Sequence, residues 1–147
     1  MKFFQRRVIY SQGTPLMIRW ILFRCEAWGI FVHKFVKSDD ARNLHDHPWP
    51  FVAWIIKGGY VEIHDHTTDG KIVHVDRFAG SILVRPAEWR HRVVLGLGKP
   101  SWSLVLVGRR SRQWGFFTEK GWCHWRRYND QTGLCEEHDI HTDKGGE

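Results

Sequence analysis

The sequence predicts an all-β domain, either a sandwich or a barrel. About nine short apolar runs follow one another along its 147 residues, separated by Gly, Pro, Asn and Asp turn signals at roughly ten-residue spacing. A helical period is nearly absent. Nine Trp and nine Phe residues strengthen the prediction, since aromatic side chains suit pleated, half-buried surfaces. The length indicates one domain that can bury a substantial core.

The strands are assigned from the apolar runs in chain order. The first run, Leu16–Cys25, fits either a strand or a buried helix, because its length does not decide between them. The β-branched and aromatic run that starts at Ile30 follows a short turn at Glu26–Gly29, which favours a strand hairpin. Strands are predicted at 17–24, 30–37, 51–57, 60–64, 71–77, 81–85, 91–95, 101–107 and 114–117.

Turn signals and composition divide the chain into three segments. Residues 1–15 are predicted to be an N-terminal extension that ends at the turn-like Gln12–Pro15. Residues 16–118 contain the predicted strands and form the barrel. Residues 119–147 are an irregular tail, whose aromatic first part is expected to contact the barrel and whose polar end, 139–147, is expected to be disordered.

Composition and charge narrow the classes of function. The net charge of +6 comes from scattered basic residues, which favours a solvated surface over nucleic-acid binding. No apolar run reaches the ~20 residues of a membrane span, and no signal peptide is recognisable. Three cysteines without a close-spaced pattern predict reduced thiols in a cytoplasmic protein, and they argue against a structural zinc site.

Two histidines, His45 and His47, are the first residues with metal-binding character. In a strand, residues i and i+2 share a face, so both imidazoles would project together while Asp46 points away. A His-x-His pair alone is weak evidence. His91 strengthens it, because this residue opens a strand after the turn at Pro86. Three imidazoles that converge inside a barrel would leave the open coordination positions of a catalytic metal.

These residues resemble the two motifs of the cupin superfamily. His45, His47 and Gly58 match the first motif, Gly-x5-His-x-His-x3/4-Glu-x6-Gly. The second motif, Gly-x5-Pro-x-Gly-x2-His-x3-Asn, is matched by Gly80, Pro86 and His91. The resemblance covers about residues 30–108, and the wider pattern is similar to small single-domain cupins of bacteria and phages. It implies a double-stranded β-barrel, or jelly roll, with one divalent metal held by His45, His47 and His91.

Three positions depart from the motifs. The metal-binding Glu of the first motif falls at Phe51, the Gly of the second motif at Glu88, and the trailing Asn at Leu95. The ligand set implied by the resemblance is therefore reduced to the three histidines. Such a set resembles the sites of thiol dioxygenases and diketone-cleaving dioxygenases, which use iron without a carboxylate. A degenerate site that binds nothing is the other interpretation.

Several polar residues are further candidates for the site. Tyr60 and two carboxylates, Glu62 and Glu88, are the catalytic candidates. Glu62 would replace the missing carboxylate ligand if it faced inward, although an exposed strand position is favoured for it. Arg85 and Arg90 would bind a substrate carboxylate if they pointed inward, with a surface position again favoured. The two histidines His64 and His66 are interpreted as surface residues.

Three functional hypotheses remain open at this point. The first is a small-molecule metalloenzyme, a dioxygenase with iron or an isomerase or lyase with manganese, nickel or zinc. The second is a non-catalytic small-molecule-binding or sensor domain, with or without metal. The third is an assembly unit. A homodimer that pairs through exposed strands is compatible with all three hypotheses.

Overall fold

The computed structural model describes residues 1–39 and 43–137, and the chain there is almost entirely β-structure. The residues expected to be disordered, 139–147, lie outside the described residues. Among those described, no helix has the length and hydropathy needed to span a membrane. The strands are β1 (Lys2–Ser11), β2 (Thr14–Arg24), β3 (Gly29–Phe35), β4 (Phe51–Lys57), β5 (Gly59–His64), β6 (Val73–Phe78), β7 (Ile82–Arg85), β8 (His91–Val94), β9 (Ser101–Val107), β10 (Gly115–Thr118), β11 (Gly121–His124), β12 (Tyr128–Asn129) and β13 (Leu134–Cys135).

Two facing sheets enclose the core, which confirms the predicted all-β jelly roll. The larger sheet has the strand order β1-β2-β3-β9-β4-β7, and the smaller sheet has the order β6-β5-β8. Every pairing between neighbouring strands is antiparallel, as hairpin-connected β-folds require. The nine predicted strands all appear, with shifts of a few residues at their ends.

The core lies between the inner faces of the two sheets. Phe31, Ala53 and Val105 occupy neighbouring register positions on β3, β4 and β9, and each is at most 5% exposed. The smaller sheet adds Tyr60 and Val93 to the same cluster. Burial of these side chains supplies the main stabilising term of the fold.

The chain crosses from the larger to the smaller sheet at Gly58 and Gly59. Gly58 has a φ of +75°, and a Cβ atom there would collide with the backbone oxygen of Pro100. A Cβ atom on Gly59 would collide with the backbone oxygen of Arg77. Only glycine fits this crossing, which explains the Gly-Gly pair between β4 and β5.

The N-terminal residues lie within the larger sheet. Residues 2–11 form β1, which pairs with β2 along its length, and the turn between them is at Gln12 and Gly13, where the sequence predicts one. The segment expected to be an extension is therefore a strand of the larger sheet, where it pairs with a β2 that is longer than the apolar run indicated.

The segment after the barrel contains more structure than the predicted irregular tail. β10 pairs with β11 and β12 with β13. The ring of Tyr128 stacks on Phe116 of β10 with the ring centroids 3.8 Å apart, so the aromatic residues of this segment pack against one another. The prediction of reduced thiols is wrong for two of the three cysteines. Cys123 and Cys135 form a disulfide, because the chain folds back and brings their Cα atoms to 5.7 Å.

The outer face of the larger sheet is also apolar. Trp54 on β4 pairs in register with Ile82 on β7, and Val52 on β4 pairs with Val84 on β7 and Leu106 on β9. Four of these five side chains are 47–68% exposed, Val52 being the exception. Because both faces of the sheet are apolar, the sequences of β4, β7 and β9 are nearly continuous apolar runs and do not alternate between polar and apolar residues. Such runs are typical of sheets covered on both faces.

Asp46 fastens the C-terminal segment to the loop before β4. Its side chain is fully buried, with Oδ1 accepting a hydrogen bond from the Gly115 backbone N–H at 2.8 Å. Oδ2 accepts one from Trp122 Nε1 at 3.1 Å and lies 2.9 Å from Arg112 Nη2. The carboxylate thus satisfies donors from three separate parts of the segment.

We expect Asp46→Asn to lower the free energy of unfolding by about 2 kcal/mol, because it weakens charge-assisted hydrogen bonds in a buried place. Urea unfolding followed by tryptophan fluorescence measures this loss. Asp76→Asn, at an exposed position on β6, is the matched control and should leave the midpoint unchanged. Equal stability of the two variants would contradict the role assigned to Asp46.

Candidate metal centre

The backbone of β8 positions His45. The His45 N–H donates to the His91 carbonyl and the His91 N–H donates to the His45 carbonyl, each at 3.0 Å. His45 also forms an isolated antiparallel bridge with Phe116 of β10. The residue is therefore held in extended conformation between two strands. The His-x-His pair does not lie in a strand, but the Asp46 side chain is directed away from the imidazoles, toward Gly115 and Trp122, as expected.

The three imidazoles converge as the sequence predicted. One ligand nitrogen from each of His45, His47 and His91 lies within 4.8 Å of the other two. His47 Nε2 and His91 Nε2 are 3.1 Å apart. Two nitrogens that bind one first-row metal ion at about 2.1 Å are separated by roughly this distance, so the donor set fits a metal ion.

Burial favours the neutral form of His47 and His91. Desolvation lowers the pKa of His47 well below its ordinary value, and the neighbouring His91 and His45 rings shift it further in the same direction. Desolvation also lowers the pKa of His91, although its hydrogen bond with Glu62 partly opposes the shift. A neutral imidazole has a free lone pair, which is the form that binds a metal.

Glu62 fixes the orientation of the His91 ring by contacting Nδ1, on the side away from the other two imidazoles. Its Oε1 lies 2.9 Å from His91 Nδ1 and accepts a hydrogen bond from Trp89 Nε1 at 3.0 Å. Its Oε2 accepts hydrogen bonds from Arg77 Nε at 2.9 Å and Arg85 Nη2 at 2.8 Å. An ionised carboxylate can only accept, so the His91 proton is held on Nδ1 and the Nε2 lone pair faces the other imidazoles.

The favoured prediction of an exposed Glu62 is wrong, since the side chain has no exposed surface. Burial by itself raises the pKa of Glu62. The hydrogen bonds from His91 and Arg85, together with their charges, outweigh this effect and hold the pKa well below its usual range. His64 is also buried, against the ring of Trp89, whereas His66 is exposed as expected. The loop before β8 covers the end of β5, which the strand pattern does not reveal.

Asp39 is a residue near the site that sequence reasoning missed. Its Oδ2 lies 3.3 Å from His45 Nδ1, and both side chains are largely buried. The Asp39 backbone N–H donates to the Val93 carbonyl at 2.8 Å, which ties this loop to β8. Asp39 belongs to the polar stretch between β3 and the histidine pair, where composition predicts only a solvated loop, so no sequence signal identifies it.

A cavity of about 650 Å³ opens beside the three histidines. Its wall is mostly apolar and aromatic. The Phe51 ring, which stands where the cupin motif has its glutamate, lies edge-on to His47 with the ring centroids 4.7 Å apart. Tyr60 also lines the cavity, and burial followed by the charge of Glu62 raises the pKa of its phenol, which stays protonated.

The other candidate residues lie outside the cavity lining. Arg85 binds Glu62, and its guanidinium carbon is 4.0 Å from the centroid of the Trp89 ring. Arg90 pairs with Asp65, with 2.9 Å between Nη2 and Oδ2. Glu88 is exposed in the turn before β8. Two other arginines line the cavity, Arg7 of β1 and Arg19 of β2. No sequence signal identifies them, because the strand of Arg19 is recognised only by its apolar content and Arg7 lies in the segment predicted to be an extension.

Comparison with known proteins supports the fold alone. No protein-family model and no curated protein matches the sequence. A cupin-2 domain protein from Rhodospirillum rubrum superposes with a TM-score of 0.60 at 13% identity, covering 80% of this chain and 78% of that one. The polyketide cyclase RemF from Streptomyces resistomycificus superposes with a TM-score of 0.56 at 15% sequence identity, covering 74% of this chain and 77% of that protein.

HppE in its Fe(II) form gives a TM-score of 0.53 at 14% identity, covering 71% of this chain and 56% of that protein. These structures share the two-sheet β-barrel described above. The likeness and the two sheets around the histidine cluster agree with the motif resemblance. The chain has the cupin fold, the double-stranded β-barrel that the histidine motifs implied.

Proposed function

We propose that this chain binds one divalent metal ion through His45, His47 and His91 and acts on a small molecule in the adjoining cavity. The observation that carries the proposal is the convergence of three imidazoles, one buried and two half-buried, with the Nε2 atoms of His47 and His91 3.1 Å apart. The contact between Glu62 and His91 Nδ1 also supports the proposal. A carboxylate that holds the proton on the nitrogen not bound to metal is typical of metal-ligating histidines.

Iron is the metal we propose first, with manganese, nickel or zinc as the other candidates. Three neutral ligands leave the full positive charge of the ion in place, and such an ion supplies Lewis acidity, with dioxygen chemistry added in the case of iron. HppE, which has the same fold, is an iron(II) protein. With iron bound, the proposed activity is therefore a non-heme dioxygenase reaction. With manganese, nickel or zinc bound, the proposed activity is an isomerase or lyase reaction.

The residues of the chain would perform three tasks in that reaction. Glu62 keeps the His91 proton on Nδ1, so the ligand nitrogen stays available. Phe51 and the other apolar wall residues exclude water, which strengthens every electrostatic interaction in the cavity. The Tyr60 hydroxyl, whose raised pKa keeps its proton in place, can donate a hydrogen bond to a substrate oxygen.

We expect the purified protein, without a histidine tag, to carry about one metal ion per chain, and His91→Ala to carry almost none, because a site with two ligands binds far more weakly. Metal analysis by mass spectrometry after dialysis measures this. His74→Ala, which removes an exposed histidine of β6, is the matched control. The proposal fails if wild type holds no more metal than His91→Ala.

Oxygen uptake by the iron-loaded protein with thiols and diketones then separates the hypotheses. Uptake that His91→Ala abolishes supports a dioxygenase. A protein that holds iron but consumes no oxygen with any of these substrates would contradict the dioxygenase version. Such a result would favour a sensor or binding domain, or a non-redox enzyme.

Glu62→Gln should weaken metal affinity by about 10- to 100-fold, the usual effect of losing the carboxylate behind a ligating histidine. Titration against a competing chelator gives the affinity, and near-UV circular dichroism verifies that the fold is intact. Glu88→Gln makes the same chemical change at an exposed position and should bind metal like wild type. Similar affinities for Glu62→Gln and wild type would show that Glu62 does not support the site.

We further propose that the chain forms a homodimer through the outer face of β4, β7 and β9. β7 is an edge strand of the larger sheet, and the exposed side chains Trp54, Ile82, Val84 and Leu106 on and beside it are apolar. A second copy presents the same apolar face, and antiparallel pairing of two β7 edges satisfies a two-fold axis.

Ile82→Asp is expected to convert a dimer into a monomer, because it places a charge in the centre of this apolar face. Light scattering after size exclusion gives the mass. Ile72→Asp introduces the same change at an exposed isoleucine outside the larger sheet and should leave the dimer intact. A monomeric wild-type protein at tens of micromolar would refute this assembly.

A further inference from the structure

We propose that Arg19 and Arg7 form an anion-binding subsite in the cavity, which takes the carboxylate of a small organic substrate. The inference rests on the proposed function, since the rest of that substrate would face the metal held by the three histidines. Arg7 and Arg19 are cross-strand partners on β1 and β2, and both line the cavity. Neither residue belongs to the cupin motifs or to the candidates that the sequence indicated.

The Arg19 side chain is held in place along its length. Its Nε donates a hydrogen bond to His33 Nε2 at 2.9 Å, and its guanidinium carbon lies 5.3 Å from the centroid of the Phe31 ring. Desolvation and the charge of Arg19 lower the pKa of His33 well below its ordinary value, so this imidazole is neutral and can accept. The two terminal nitrogens have no hydrogen-bond partner among the described residues, and they form the planar fork that binds a carboxylate at two points.

Among the described residues, no carboxylate is paired with the positive charge in this part of the cavity. Burial lowers the pKa of Arg19 to about 10, and Arg7 adds to the shift, so the guanidinium is still charged at neutral pH. Two acidic side chains line the cavity. Asp39 lies beside His45, and Asp130 Oδ2 accepts from the Gln12 backbone N–H. Neither forms an ion pair with Arg7 or Arg19 in the described part of the chain.

Two like charges on facing strands destabilise a sheet unless something compensates them. A bound anion would supply that compensation, and partial removal from water makes each interaction with it stronger. Arg19 and the three histidines line the same cavity. The subsite and the histidines therefore belong to one cavity, and a ligand with a carboxylate at one end can extend its other end to the metal.

The test uses glutarate as the probe, titrated by calorimetry into zinc-loaded and into metal-free protein. Arg19→Met should weaken binding about tenfold or more in both forms, equivalent to ~1.4 kcal/mol or above. Arg19→Lys keeps the charge without the fork and should fall between wild type and Arg19→Met. Arg6→Met removes an equal charge from an exposed position of β1 and should stay within about twofold of wild type. Zinc content should be the same in all four proteins.

The outcomes separate this subsite from the metal proposal. A protein that takes up no zinc when zinc is offered but binds glutarate through Arg19 would refute the metal centre and support the subsite. Zinc binding with a glutarate affinity that Arg19→Met and Arg19→Lys leave unchanged would overturn the subsite, and so would the absence of glutarate binding to wild type. Inorganic phosphate that binds through Arg19 where glutarate does not would overturn the assignment of a carboxylate.

Discussion

The backbone hydrogen bonds between His45 and His91 are the constraint on which the site depends. They join a loop that precedes β4 of the larger sheet to β8 of the smaller sheet. Once this register is set, His47 follows two residues after His45 and faces His91 Nε2 at 3.1 Å. The imidazoles can converge because a backbone pair, which has few degrees of freedom, fixes where their side chains begin.

Charges of opposite sign occupy separate places around this centre. Glu62 lies behind His91 with two arginines and a tryptophan bound to it, so its negative charge is neutralised within the wall of the barrel. Arg7 and Arg19 face the cavity without a carboxylate partner among the described residues. Because the balanced charges are enclosed and the unbalanced ones are accessible, the positive potential is directed at the space where a ligand would lie.

The larger sheet is apolar on both faces, which has consequences beyond the core. Its inner face packs against the smaller sheet, while the outer residues of β4, β7 and β9 remain exposed. The cavity beside the histidines is lined by inner-face residues of the same sheet, among them Ala53 and Val105. Assembly and the binding cavity can therefore use different surfaces, so dimer formation would not close the cavity.

The sequence by itself determined the fold class and the three histidines. Apolar runs with regular turn signals specify short strands, and the positions of His45, His47 and His91 follow from local strand geometry and a known motif. Patterns of this kind can be recognised in the sequence because they depend only on residues a few positions apart. The Gly-Gly pair after β4 marks the end of that strand in the sequence, but the close approach to Pro100 and Arg77 that requires glycine there is visible only in the structure.

Only the tertiary structure decided what lies around those histidines. Glu62 on β5 meets His91 from a position 29 residues away, and Arg19 on β2 reaches the cavity from a strand that looks merely apolar in sequence. The disulfide joins two cysteines whose spacing matches no simple pattern. These contacts depend on which strands become neighbours and which loops cover their ends, and that arrangement follows from packing of the whole chain and not from any local stretch.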